Sequence, residues 1–249
     1  QPDKGMSHLF RAQGIIRENI LEVIPNVYQM TFRGVNVLVI AEAGLTIIDT
    51  GFRASVPKIT DFVHSLGHSP EEISLIIITH NHFDHAGGLS ELRKLTGARV
   101  AAHKADIYDV NGRLPYPRLV QKTLQVRPFA ALRSFLGIGS GDVDIQLSGG
   151  EVLQPLGGLE VIHAPGHTPG SICLLSPQHK LLIVGDALIK HSQTIHFPHK
   201  SASTDRPQAV ESVKRLAALD VEIICFGHGR PLTGNARAKL QALAARAED

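Results

Sequence analysis

The sequence predicts a mixed α/β protein, two β-sheets packed face to face with helices outside, a four-layer α/β/β/α sandwich. Three observations predict it. Short Val- and Ile-rich runs bounded by Gly, Asn or Pro recur along the chain, helix-length segments separate some of them, and the second half repeats the strand-and-helix theme of the first. A chain of 249 residues, 43% hydrophobic and 19% charged, has the length and composition to bury a core of that size. Residues 1–249 are therefore read as one domain.

Strands are expected at 27–32, 35–41, 45–49 and 73–79. Pro57 suits the first turn of a helix over 55–66, and a second helix is expected from near Asp84 to Leu95 before a strand at 99–102. Residues 104–141 differ in kind. They hold Pro115, Pro117 and Pro128, a density that core strands do not tolerate, and read as a helical insertion between the two halves. Its Tyr116, Phe129, Leu132, Phe135, Leu136 and Ile138 either wall a site or pack the insertion's own helices. The second half continues with strands at 143–147, 152–155, 159–163, 171–175 and 181–184, a helix over 205–219, a strand at 222–226 and a closing helix from Asn235.

Charge and apolar patterning exclude several classes of partner. Net charge is +2, with 25 basic residues scattered among 23 acidic ones, so a nucleic-acid partner is not expected. No apolar run approaches the roughly 18 residues of a membrane span, and the N-terminus lacks a signal-peptide pattern. Met6 is the expected natural start, and residues 1–5 are set aside. Cys173 and Cys225 each lie inside an apolar run and read as small buried hydrophobes. The expected setting is cytoplasmic.

The chemistry concentrates at the exit of the strand at 73–79, where His80-Asn81-His82-Phe83-Asp84-His85 places four potential metal ligands in six positions. Alternate residues of an extended segment point the same way, so His80 and His82 can grip one ion. Where the chain turns into a helix, Asp84 and His85 can grip a second. Imidazoles with a carboxylate suit zinc first, with iron, cobalt or manganese also compatible. Further candidates follow at later strand ends and are flanked by glycine, which permits a close backbone approach: His167 in Ala164-Pro165-Gly166-His167-Thr168-Pro169-Gly170-Ser171, Asp186 in Val184-Gly185-Asp186-Ala187, and His228 in Phe226-Gly227-His228-Gly229. Asp49, closing an early strand, is expected to hydrogen-bond a ligand imidazole and hold its tautomer. His163 is expected to border the site. His8, His64, His68, His103 and His179 read as surface or turn residues, and His191, His196 and His199 as a cluster of which one could face a substrate.

These four ordered motifs resemble the metallo-β-lactamase superfamily, whose H-x-H-x-D-H pattern stands intact as His80, His82, Asp84 and His85. The resemblance covers most of the chain. It implies that His80, His82 and His167 hold a first metal, that Asp84, His85 and His228 hold a second, and that Asp186 bridges them. Two divalent ions about 3.5–4 Å apart share a water and lower its pKa, so a bridging hydroxide is the expected nucleophile, with Asp84 orienting it and carrying a proton. The expected substrate is a small carboxylic ester, lactone or thioester. A phosphodiester is the less favoured hydrolytic alternative.

Departures narrow the resemblance. Zinc β-lactamases generally lack an aspartate at the bridging position, whereas Asp186 is present; the lactonases' tyrosine three residues on is Ile189; and the glutathione-binding C-terminal helical domain of glyoxalase II has no counterpart in the roughly twenty residues after His228. A persulfide-dioxygenase-like enzyme holding one iron, and a metal-stabilised binding domain without turnover, are the competing readings. Relatives are often dimers, so a homodimer is the oligomer the resemblance allows.

Overall fold

The structure, a computed structural model, describes residues 19–42, 44–107 and 140–246. Its first sheet holds, in spatial order, β1 (Ile20–Ile24), β2 (Val27–Phe32), β3 (Val35–Glu42), β4 (Gly44–Ile48), β5 (Ile73–Ile78), β6 (Arg99–His103) and β7 (Ile145–Leu147). β1 to β4 form an antiparallel meander. Arg33 and Gly34, both at positive φ (52° and 88°), make the two-residue reversal between β2 and β3. From β4 onward the pairing is parallel, and the first two crossovers are helical: α1 (Val56–Ser65) precedes β5, and α2 (Phe83–Ala86) with α3 (Leu89–Thr96) precedes β6.

The second sheet is built from β8 (Val152–Leu153), β9 (Leu159–His163), β10 (Ile172–Ser176), β11 (Leu181–Ile183), β14 (Ile223–Cys225) and β15 (Leu232–Thr233), in the spatial order β15-β14-β11-β10-β9-β8. A hairpin of β12 (Ile189–His191) and β13 (Thr194–His196) stands apart from it. α4 (Arg206–Leu216) and α5 (Ala236–Ala245) complete the described strands and α-helices.

Three separate apolar clusters give the layer order. Val37, Val39, Ile76 and Ile78 pack with Val56, Ile59 and Leu92 of the first half's helices. Alternate residues of the same strands, Leu38, Ile40 and Ile77, turn the other way and meet Leu174, Leu181 and Ile183 of the second sheet. Cys173, Leu175, Leu182 and Ile224 face Val213, Leu216, Leu240 and Leu243 of α4 and α5. Because the side-chain period of a strand is two, one apolar run serves both faces, so the strands read as continuous hydrophobic stretches. The result is the expected α/β/β/α sandwich.

Several elements differ from expectation. The helix foreseen from Asp84 to Leu95 is two helices, broken at Gly87 and Gly88. A Cβ on Gly88 would lie 2.9 Å from the Thr50 carbonyl oxygen, and one on Gly87 would collide with the Phe83 carbonyl. The break lets the Gly88 amide donate to Thr50 Oγ1 and to the Gly51 carbonyl, tying the turn to the end of β4. β1, the β12–β13 hairpin and β15 were not foreseen. The expected insertion at 104–141 lies mostly outside the described residues, as do its six named apolar side chains; Lys104–Asp106 and Ser140–Asp142 are single 3-10 turns. Among the described residues, no helix is long and apolar enough to cross a membrane.

Candidate metal centre

Strand direction gathers the candidate ligands. β4, β5 and β6 run parallel, and β9 and β11, each antiparallel to β10, run parallel to β14. The C-terminal ends of these two sets carry Asp49, the His80–His85 segment and Asp106 on one side, and His167, Asp186 and His228 on the other. Side chains at such strand ends are free of the ladder and can converge across the crevice.

They do converge. The ligand atoms of His80, His82 and His167 lie within 4.8 Å of one another, as do those of His80, His85 and Asp186, and those of Asp84, His85 and His228. All seven residues singled out from the sequence are in these groups. Asp186 is at the centre: Oδ2 lies 3.3 Å from His228 Nε2, 3.6 Å from His167 Nε2 and 4.0 Å from His80 Nε2, and Oδ1 lies 3.6 Å from His85 Nε2. Asp84 Oδ2 is 3.6 Å from His228 Nε2 and 3.8 Å from His85 Nε2. His167 Nε2 and His82 Nδ1 are 3.0 Å apart.

Outer hydrogen bonds set which imidazole nitrogen turns inward. His85 Nδ1 donates to Asp49 Oδ2 at 2.8 Å, as the sequence led us to expect, and His228 Nδ1 donates to the Gly34 carbonyl at 3.0 Å. His80 Nδ1 is 3.1 Å from Thr79 Oγ1, which itself donates to Asp49 Oδ2 at 2.8 Å. With Nδ1 turned outward, each Nε2 faces the cluster. His80 Nε2 and Asp186 Oδ1 are buried without a hydrogen-bond partner, a costly condition unless a cation meets them. The residues present fit divalent ions. Asp49 takes this position at φ 59°, a conformation few non-glycine residues other than Asn and Asp adopt.

Burial and charge split the histidines. Burial, reinforced by neighbouring imidazoles, holds His80 well below the usual range, and burial pushes His167 down to about 3 despite Asp186. His85 is just as buried, but Asp186, Asp49 and Asp84 outweigh burial and push it up to about 9. His228 is raised by its hydrogen bond to Asp186. Burial opposes ionisation of Asp186, yet His85, His228 and His167 hold its carboxyl well below the carboxylate range. Gly227 makes the close approach possible, because a Cβ there would strike Asp186 Oδ1 and lie 2.7 Å from His85 Cε1.

Other histidines are sorted differently. His103, expected as a surface or turn residue, is buried and caps the 3-10 turn that follows: β6 extends one residue further than foreseen, pairs His103 with Leu147, and stacks its ring on His163 at 3.9 Å. His163 is outside the ligand groups and meets the Pro169 carbonyl through Nε2. His191, His196 and His199 are exposed on and after the β12–β13 hairpin, outside those groups. His64, His68 and His179 are not in them either, and His8 lies outside the described residues.

Two supporting residues were missed. Asn36, a polar residue inside the run Val35-Asn36-Val37-Leu38-Val39, donates from Nδ2 to the Phe226 carbonyl at 2.8 Å and the Gly229 carbonyl at 2.7 Å, clamping the His228 loop. A polar break in an apolar strand was the available signal. Asp106 ties together the loops bearing His82 and His167, and no pattern near it in the sequence points to those partners. Cys173 and Cys225 are free, buried thiols, each pushed up to about 12 by burial.

Fold and site define a class, and comparison with known proteins names it. The model of the metallo-beta-lactamase superfamily matches residues 30–228, and the chain belongs to that family. Among curated relatives, the probable metallo-hydrolase YflN of Bacillus subtilis (strain 168) is 31% identical over 216 residues, which is 80% of this chain and 81% of the relative. A hydroxyacylglutathione hydrolase of Cereibacter sphaeroides is 30% identical over 176 residues, covering 70% of this chain but only 55% of that protein. Among solved structures, a metallo-beta-lactamase family protein from Thermus thermophilus superposes with a TM-score of 0.66 at 22% identity, covering 91% of this chain and 81% of that one.

Proposed function

We propose that the chain is a hydrolase that uses two divalent cations, zinc first among them, to cleave a carboxylic ester, lactone or thioester of a small molecule in the cytoplasm. His80, His82 and His167 would hold one ion, Asp84, His85 and His228 would hold the other, and Asp186 would serve both. The observation that carries this reading is the convergence of seven donors in three overlapping groups where the two sheets meet, with Nδ1 of His85 and of His228 tied down on the outward side. Divalent ions so held would supply Lewis acidity, lowering the pKa of water towards neutrality and polarising a carbonyl oxygen.

The chain's own residues do the rest. Asp84, about one-fifth exposed at its side chain, is the carboxylate of the cluster with the most access to solvent and is placed to orient a nucleophile and pass a proton to the leaving group. Asp186, held ionised, balances the positive charge of the centre. Asp49 and the Gly34 carbonyl keep His85 and His228 in the donor tautomer. Relatives named as a metallo-hydrolase and as hydrolases of an acylglutathione, a thioester, support the reaction class.

Elemental analysis of the purified chain, with hydrolysis rates on p-nitrophenyl acetate and a simple acyl lactone, tests the reading. The expected result is about two divalent ions per chain and turnover of at least one substrate. A single iron, with oxygen consumption on a persulfide and no ester hydrolysis, would overturn it in favour of a dioxygenase.

A further inference from the structure

Asp106 follows β6 in a single 3-10 turn, is 3% exposed, and is spent entirely on accepting hydrogen bonds. Oδ2 accepts from the Asn81 amide at 2.9 Å and from Thr168 Oγ1 at 2.7 Å, and Oδ1 accepts from the Gly170 amide at 2.6 Å. Its own carbonyl accepts from Asn81 Nδ2 at 2.7 Å. Gly170 has no room for a side chain, since a Cβ would lie 2.6 Å from the Asp106 backbone nitrogen and carboxyl carbon.

The donors belong to two loops from different sheets. Asn81 sits between His80 and His82, at the end of β5; Thr168 follows His167, between β9 and β10. The three histidines form one ligand group, and their geometry depends on how these loops sit against each other. Elsewhere the two loop stems meet through the Ile172 amide donating to the Thr79 carbonyl at 2.9 Å. The group of Asp84, His85 and His228 has other supports: Asp49 for His85, and Asn36 with Gly34 for His228.

We propose that Asp106 is a positioning residue dedicated to the His80, His82 and His167 group, so that one ion site depends on it and the other does not. The proposal rests on the two-ion reading above. The demand is for a carboxylate rather than merely a polar side chain, because all three side-chain partners donate; an amide would turn its own NH2 towards at least one donor and leave it unpaired.

The test is zinc titration by calorimetry of the full chain after chelator treatment, with thermal unfolding of the zinc-free protein alongside, for wild type, Asp106→Ala and Asp106→Asn. His167→Ala and His228→Ala identify the two binding steps. Both Asp106 variants are expected to lose roughly 10- to 100-fold in the step that His167→Ala removes, while keeping the step that His228→Ala removes. Thr168→Val, which deletes one donor without changing volume, should show a smaller loss in the same step and serves if the Asp106 variants do not fold. Wild-type affinity at both steps in these variants overturns the proposal, and so does equal loss at both steps in proportion to a fall in thermal stability. If wild type binds one ion only, the two-ion reading fails by itself; the role of Asp106 then stands if that single affinity falls in Asp106→Asn and is overturned if it does not.

Discussion

The two candidate ligand groups both approach Asp186 but are built on different principles. His80, His82 and His167 are nearly enclosed, bridge the two sheets, and include two imidazoles that burial holds neutral. In the other group Asp84 and His228 lie nearer the surface, with the His228 side chain 39% exposed, while His85 is fully buried; together they set a carboxylate and raised histidines beside Asp186. Burial therefore prepares neutral donors on one side, and local charge organises the other. The difference teaches that one centre can be assembled by two kinds of support, a cross-sheet clamp and a set of charged or backbone acceptors.

The harshest way to break this comparison is to remove what the groups share. Asp186→Ala is expected to lower kcat/KM for ester hydrolysis by at least about 10³-fold, on the scale of deleting a group that stabilises charge in an enclosed site, and to lower the ion content. Steady-state rates with elemental analysis check it, and survival of near wild-type turnover would mean that the groups act independently. Asp49→Ala should strike the exposed side hardest, directly through His85, and reach the enclosed side through Thr79 and His80. It strands His85 Nδ1 and the Thr79 amide and hydroxyl, so the affinity of the exposed site should fall roughly 10- to 100-fold. Urea unfolding of the same variant should show a loss of about 1–3 kcal/mol for the buried donors left unpaired.

Dialysis against a mild chelator sharpens the contrast in accessibility. The ion beside His228 is expected to leave first, giving a two-phase loss followed by elemental analysis; a single phase would show that solvent exposure does not distinguish the groups. The smallest expected effect is none at all. Because burial raises both thiols to about 12, Cys173 and Cys225 should stay unreactive towards a thiol reagent at pH 8 until the chain is unfolded, where the fraction of thiolate rises steeply.

What was legible in the sequence follows from which signals are local. The strands of both sheets carry two apolar faces each, so their runs stand out, and the ligand residues sit where those runs stop. Asp49 was legible as a carboxylate closing a strand. β1, with no fully buried residue, and the short β12 and β13, each with at most one, lack that contrast and went unseen. The break at Gly87 and Gly88 was hidden because its cause, the Thr50 and Gly51 backbone, is more than thirty residues away. Asp106 was hidden for a similar reason: its partners lie 25 and 62–64 residues along the chain, and no local pattern announces them.

Both ligand groups take donors from both halves of the chain. The contact of His82 with His167 spans 85 residues and that of His85 with His228 spans 143. An ion held at either point is thus a covalent-like staple across a long loop, the kind of link whose entropic benefit grows with the loop it closes. Two free cysteines that face different cores give this protein no such link of their own. If the site holds metal, the supply of that metal would bear on how long the folded chain lasts, and the loaded protein should behave as one cooperative unit that neither half can leave alone.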